Sequence, residues 1–298
     1  MFCSTIIPTI NRSSLPRAVH SVLDQAFKVA DFEVIVVNDS GQRLPDADWQ
    51  DSKQVRVINT NRHERSVARN TGAAIARGKY LHFLDDDDVL LPGALEAFWM
   101  LDEEAGDAAW LYGSYQTVDN FGNLIEEIHP GITGNVFALL VSGEGVPLQA
   151  SLLQTRHFFT AGAFDPAITG VEDRDLGRRI ALAGSIAYTP AVVAQIRIGE
   201  KGSTTNWAIL AEDDRQGREK ALSMQNSFAR LRASVNSCYW RGRVSRSYLG
   251  STAWNLRRRR ILTAVSRLGA SLAFANWHMF SPDFWRGLRT RINCWPKT

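Results

Sequence analysis

The 298-residue sequence predicts an α/β fold with a mostly parallel central sheet flanked by helices, followed by a basic helical extension. Three observations lead there. Short β-rich runs alternate with helical patterns through the first hundred positions. The last strand-like run of that series, "KYLHFLD", breaks straight into four aspartates, Asp85 to Asp88. The charge is divided along the chain. From Arg215 onward 15 Arg and 2 Lys face only Glu219 and Asp283, a net +15. The 214 residues before carry 17 basic against 29 acidic side chains, a net −12.

Each element has its own signal. "FCSTIIP" reads as a first strand, and "SSLPRAVHSVLDQAF" as a helix with Pro16 near its start. "FEVIVVND" and "VRVINT" read as the second and third strands. "SVARNTGAAIARG" reads as a helix closed by Gly78, and "KYLHFLD" as a fourth strand. A helix opened by Pro92 and closed by Gly106 follows. "AWLYGSYQTVDNFGNLIEEI" reads as a strand and hairpin turning at Asn120 to Asn123. "VEDRDLGRRIALAG" is a short helix closed by Gly184, and "SIAYTP" and "VVAQIRI" are two further strands. From about Asn206 the text is helical and basic. The predicted division is therefore residues 1–205 for the α/β domain and 206–298 for the extension.

Bulk properties exclude several classes. With 45% hydrophobic and 22% charged residues the chain is neither disordered nor membrane-embedded. No stretch of 18 uncharged apolar residues exists; the nearest, Ile261 to Phe280, contains Arg267, Asn276 and His278. The N-terminus lacks a basic region and its apolar run is cut by Pro8, unlike a signal peptide. Cys3, Cys238 and Cys294 form no metal or redox spacing, which favours a reduced, cytoplasmic setting.

Four adjacent carboxylates repel one another and resist burial, so their place after an apolar strand needs a reason. In extended backbone Asp85 and Asp87 share one face and Asp86 and Asp88 the other, if the strand persists. A D-x-D pair at a strand end offers hard oxygen ligands to Mg²⁺ or Mn²⁺, and a cation offsets the repulsion. A helix cap for the segment at Pro92 accounts for one aspartate, not four. In parallel sheets ligands bind at the carboxyl ends of strands, where Asn38-Asp39 and Asp85 to Asp88 fall.

"STIIPTINR", "VIVVNDSG", "SVARNTGAAIARGKYLHFLDDDDVL" and "GVEDRDLGRRI", in this order and spacing, resemble glycosyltransferase family 2 over about residues 2 to 200. The resemblance implies a GT-A fold and an inverting, nucleotide-sugar-dependent transferase, with a UDP-sugar as donor. It implies that Thr9 and Asp39 border the base and ribose, that Arg69 lies toward the nucleotide or its pyrophosphate, and that Asp85 and Asp86 line the donor site. Asp87, with Asp85, would hold the metal. Read alone, Asn38-Asp39-Ser40-Gly41 is also an ordinary turn and Arg69 an ordinary solvated helix arginine. Asp173 would be the base that takes the acceptor proton, with Glu172 beside it; by themselves the two acids also suit a helix N-terminus. Asp175 would face Arg178 or Arg179 on the same helix.

Two departures stand out. Glu64-Arg65 replaces a glycine the family often has before the "ARN" segment. The region "AQIRIGEKGSTTNW" lacks the family's frequent metal-binding histidine, leaving Glu200 as a substitute and Gly199 to Thr205 as a loop that closes over the donor or merely connects. A nucleotidyltransferase would need a glycine-rich phosphate loop, which "IPTINRSSLPR" is not. The remaining rival is a non-catalytic nucleotide-sugar-binding or scaffold protein of the same fold.

Five of the nine tryptophans lie after position 239: Trp240, Trp254, Trp277, Trp285 and Trp295. With "LRRRRIL" they suit an anionic membrane surface, or helices packed on the catalytic domain or on a second copy of the chain. Nucleic acid is disfavoured by the acidic first half and the absence of a nucleic-acid fold signature. The expected partners are a nucleotide-sugar and a glycan or lipid-linked acceptor, in the cytoplasm or on the inner face of the membrane.

Overall fold

The computed structural model describes residues 1–198, 207–234 and 237–290. Strands β1 (Cys3–Thr9), β2 (Phe32–Asn38), β3 (Val55–Asn59) and β4 (Tyr80–Phe83) form a parallel half-sheet in the order β3-β2-β1-β4. They are joined through α1 (Leu15–Leu23) and α2 (Arg65–Ile75), with α3 (Ala94–Ala105) after the two-residue β5 (Val89–Leu90). β2 and β4 are buried along their whole length, which is why they read as continuous apolar runs rather than alternating ones. Val34 and Val36 share one buried cluster with α1 and α3, whereas Ile35 and Val37 share the other with α2, giving a layer on each face of the sheet.

Beyond β4 the sheet is mixed rather than parallel. β6 (Trp110–Val118) makes the expected hairpin with β7 (Leu124–Ile128). β8 (Ser151–Gln154), which the sequence did not announce, pairs antiparallel to both β4 and β6. The segments read as two strands are one, β9 (Ile186–Arg197), parallel to β6 and antiparallel to β5. Its register jumps from Gly113↔Thr189 to Ser114↔Val192. The irregularity absorbs Pro190, which has no N–H to donate, without ending the strand. Gly78 does not close α2, which stops at Ile75; α4 (Phe137–Val141), α5 (Thr155–Thr160) and α6 (Glu172–Ala183) complete this part.

The extension folds as α7 (Trp207–Ser223), α8 (Ser227–Ser234), α9 (Cys238–Arg257), α10 (Ile261–Ala275) and α11 (Pro282–Arg289). Ala221, Leu222, Leu231, Val244, Tyr248 and Phe274 join the same core as α4 and α6. Part of the positive charge serves this packing. Arg178 Nε donates to the Leu140 carbonyl at 3.1 Å, Arg218 Nε to Val141 at 3.0 Å and Arg243 Nη2 to Ser142 at 3.2 Å. Three guanidinium groups thus satisfy the carbonyls at the end of α4. Asp214 neutralises Arg178 and Arg218, each at 2.6 Å. Glu144 lies 2.6 Å from Arg243 Nη1, an ion pair off hydrogen-bond geometry.

α9 and α11 touch through glycines. A Cβ on Gly242 would collide with the Phe284 carbonyl, and one on Gly287 with the Tyr239 carbonyl. Gly287→Ala is expected to cost about 2 kcal/mol or more in chemical denaturation, because rigid backbone on both sides cannot yield. Gly250→Ala, in the same helix α9 but with open space around it, is the control: it should be neutral or stabilising by up to about 1 kcal/mol.

Candidate active site

β1, β2 and β4 end on one edge of the sheet, with Thr9 opposite Asn38 and Ile6 opposite Phe83. The turns beyond them enclose a cleft of about 600 Å³ walled by Thr9, Asp39, Arg65, Arg69 and all four aspartates. This is the strand edge where open α/β sheets bind ligands.

Asp39 is buried, and both its oxygens are used. Oδ1 accepts from the Thr60 hydroxyl and the Arg62 N–H, each at 2.7 Å; Oδ2 accepts from the Glu64 N–H at 2.8 Å. Burial raises its pKa, but these donors outweigh it and hold the carboxyl below its ordinary value. Asp39 therefore fixes the loop from Thr60 to Glu64 that forms one cleft wall. The turn reading also holds next door, since Asn38 Oδ1 accepts from the Ser40 hydroxyl at 2.7 Å. Glu64 caps α2, its carboxylate accepting from the N–H groups of Ser66 at 3.0 Å and Val67 at 2.7 Å. A glycine there would supply no such cap.

The strand does not persist through the aspartates. Extended backbone stops at Phe83 and Asp85–Asp88 is a turn, the Asp88 N–H donating to the Asp85 carbonyl at 3.1 Å. Strict alternation of faces is therefore corrected, and the four acids divide by partner instead. Asp86 is buried, accepting from the Thr9 hydroxyl at 2.6 Å and from Arg12 Nη1 at 3.0 Å. Asp88 is buried and accepts the Arg197 N–H of β9 at 2.7 Å. Burial, then the neighbouring charges of Asp85 and Asp87, push Asp88 up to about 8; burial also raises Asp86. Asp86 and Asp88 tie the turn to β1 and β9, a structural reason for acids that the metal reading did not need.

Asp85 and Asp87 keep about a third of their side-chain surface exposed. Asp85 accepts from Arg69 Nη2 at 2.7 Å and Gln149 Nε2 at 2.9 Å. Burial raises Asp85, but Arg69 outweighs it and the carboxyl lies below its ordinary value. Asp87 Oδ2 accepts from Arg12 Nη1 at 2.8 Å, and among the described residues its other oxygen has no hydrogen-bond donor. Arg12 and Gln149 were missed from sequence. Arg12 sits inside "STIIPTINR", a signal available but unused; Gln149 lies in the irregular stretch after α4, where no pattern marked it. His82 positions Gln149: fully buried and lowered by that burial to about 4, it is neutral and hydrogen-bonds the Gln149 carbonyl at 3.0 Å.

Arg69 is neither solvated nor free to meet a ligand with both arms. It is buried, with Nη2 on Asp85 and Nη1 on Glu172 at 2.8 Å, and it lies over the Phe164 ring at 5.4 Å. Burial disfavours its charge, yet the two carboxylates hold its pKa above the ordinary value. Asn70, next in "ARN", exchanges two hydrogen bonds with the Phe164 backbone at 2.8 and 3.0 Å. The pair thereby fastens α2 to the segment that leads into α6.

Glu172 and Asp173 open α6, outside the cleft wall itself. Glu172 is buried against Arg69, with Arg65 at 3.6 Å, and so acts as an ion-pair partner. Asp173 is half-buried and, among the described residues, accepts only the Arg174 N–H at 2.7 Å. Burial, then the Glu172 charge, raise its pKa. Asp175 pairs with Arg179, at 2.9 Å to Nε and 2.7 Å to Nη2, and not with Arg178. Glu200 and Gly199 to Thr205 lie outside the described residues.

The sequence model of the family described as "Glycosyl transferase family 2" matches residues 4–145. An "Uncharacterized glycosyltransferase" of Rickettsia felis is 30% identical over 201 residues, covering 65% of this chain and 33% of that protein. The Staphylococcus aureus poly(ribitol-phosphate) beta-N-acetylglucosaminyltransferase TarP is 35% identical over 107 residues, 34% of this chain and 33% of TarP. The chain thus spans about a third of the length of these curated relatives. The crystal structure of S. aureus TarS 1-349 in complex with UDP-GlcNAc superposes with a TM-score of 0.64 at 15% identity, covering 93% of each chain. The match in fold extends through the helical extension, well past the residues that carry the family motifs. Residues 4–145 thus match family 2 glycosyltransferases, set on a GT-A fold.

Proposed function

We propose that the chain is an inverting hexosyltransferase that moves a sugar from a UDP-sugar to an acceptor hydroxyl in the synthesis of a cell-surface polymer or lipid-linked glycan, on the cytoplasmic side. One observation carries the reading: Arg69 joins the Asp85 wall of the cleft to the α6 N-terminus that bears Asp173. The names of relatives support the substrate class. Besides TarP they include a Campylobacter jejuni GalNAc(5)-diNAcBac-PP-undecaprenol beta-1,3-glucosyltransferase, 32% identical over 131 residues.

In this reading the nucleotide occupies the cleft between Thr9, Asp39 and Asp85, with Arg12 and Arg65 as cleft cations facing the diphosphate. Asp173 takes the acceptor hydroxyl's proton as that oxygen bonds to the anomeric carbon; the bond from that carbon to the diphosphate oxygen breaks, with inversion. Arg69 keeps Asp85 ionised and, by bonding to both Asp85 and Glu172, holds the two side chains in place. Among the described residues no group of three or more His, Cys, Asp or Glu is placed to hold a metal. Mg²⁺ or Mn²⁺ needs less here, since one or two carboxylates plus substrate phosphates suffice. Asp87, with an oxygen to spare, and Asp85 fit that requirement. A bound divalent cation supplies Lewis-acid stabilisation to the departing diphosphate.

Calorimetry with UDP-sugars in Mn²⁺ and in a chelator tests donor and metal together. Donor affinity should fall at least about tenfold on chelation, and Asp87→Asn should remove that dependence while leaving the thermal midpoint unchanged. Equal binding with and without metal would refute the cation; absence of UDP-sugar binding would refute the donor.

A further inference from the structure

Helix α10 packs on α9 through Ala264, Ser271 and Phe274 and leaves its other side unpartnered. Ile261, Val265, Leu268 and Leu272, at spacings of four, three and four, form an exposed stripe along that side. Leu262 is 88% exposed at its edge, and Phe280, 87% exposed, follows in the 3₁₀ turn Asn276–Phe280. This is more contiguous apolar surface than scattered exposed residues account for. Immediately before the stripe stand four consecutive exposed arginines. Arg258 pairs with Glu212, but Arg257, Arg259 and Arg260 have no carboxylate partner among the described residues. From Arg257 to the end the chain has nine basic residues and only Asp283 to oppose them.

We propose that this face of α10 docks on an anionic lipid surface, lying in the plane of the interface rather than crossing it. The stripe enters the boundary between headgroups and acyl chains, and Arg257, Arg259 and Arg260 meet the phosphates. Fifteen residues of helix span about 22 Å, short of the roughly 30 Å hydrocarbon core, and no described helix is long and apolar enough to cross a membrane. Charge decides between occupants. A second copy packed on the same face would bring two runs of unpaired guanidinium groups together, whereas anionic headgroups neutralise them. Three other arginines of the extension are already engaged: Arg218 and Arg243 sit on the α4 carbonyls, and Arg267 pairs with Glu219 at 2.8 Å. The inference stands apart from the catalytic reading, since none of these residues lines the cleft.

Co-sedimentation of the full chain with vesicles of phosphatidylcholine alone, or with phosphatidylglycerol added, tests it. Binding should require phosphatidylglycerol and weaken as salt rises. Val265→Glu with Leu268→Glu should abolish it. Arg257→Gln with Arg259→Gln should lower the partition coefficient about tenfold or more. All four positions are solvent-exposed, so both variants should keep the parent's thermal midpoint and UDP-sugar binding. Equal binding to neutral vesicles, or unchanged binding of either variant, would overturn the proposal. So would a concentration-dependent dimer in analytical ultracentrifugation that Val265→Glu with Leu268→Glu dissolves while the parent ignores vesicles.

Discussion

Asp173→Asn is expected to reduce turnover by about a thousandfold while leaving UDP-sugar binding within a factor of two or three. Removing a positioned general base typically costs 10²–10⁴ in rate, and Asn cannot accept the acceptor proton. Donor binding should survive because Asp173 lies outside the cleft wall and, among the described residues, bonds only to the Arg174 N–H. Stability should not fall. Burial and Glu172 raise the Asp173 pKa in the folded state. Between the unfolded and folded values the native state therefore binds more protons, so ionising Asp173 costs stability as pH rises. The amide never ionises, and the variant should melt at or above the parent's temperature at neutral pH. The same sign governs rate. The base works deprotonated, so kcat/KM should decline on the acid side at a higher pH than an ordinary aspartate would give. Turnover that survives Asp173→Asn would refute the base assignment, and a variant that unfolds would refute the expected gain in stability.

The legible parts of the fold were those whose signal is local. β1, β2 and β4 are buried along nearly their whole length, so each is a largely apolar run recognisable without its partner, whereas β3 at the sheet edge is only partly buried and is marked by its β-branched residues. α2 and α6 carry acids at their starts, Glu64 as a cap and Glu172 to Asp175 in the first turn. What failed depends on pairing. β8 has four residues and β5 two, and each is a strand only because a neighbour presents an edge. Pro190 argues for a break in β9, and only the irregular register against β6 shows how the strand passes it. The site divides in the same way. Residue types marked Asp85, Asp87 and Asp173 as candidates, but could not show that Glu172 is a buried partner of Arg69 or that Gln149 holds Asp85, because those contacts join positions 103 and 64 residues apart. The tail's composition could not separate arginines that cap α4 from those left in solvent; only burial does that.

Arg69→Met should have the largest effect on stability and should disable the site with the fold largely intact. Methionine preserves most of the volume against Phe164 but leaves Glu172 buried and charged without its main partner. Breaking a buried pair by removing one member costs about 3–5 kcal/mol. The lower end is expected here, because Gln149 still donates to Asp85 and Arg65 is 3.6 Å from Glu172. Arg69→Lys should not rescue, since a single ammonium cannot replace two guanidinium nitrogens each aimed at a separate carboxylate. Adding Glu172→Gln to Arg69→Met should recover part of the lost stability by removing the stranded charge, yet not donor affinity, because Asp85 stays without its guanidinium. Urea denaturation of the single and double variants closes the cycle, and a coupling above about 1 kcal/mol between Arg69 and Glu172 is expected. Additive losses would mean that Arg69 serves the cleft alone and that the link from Asp85 to the helix bearing Asp173 contributes nothing. In that case the base would have to be held in place by the packing of α6 on Trp110 and Leu140, and not by the charge network across the site.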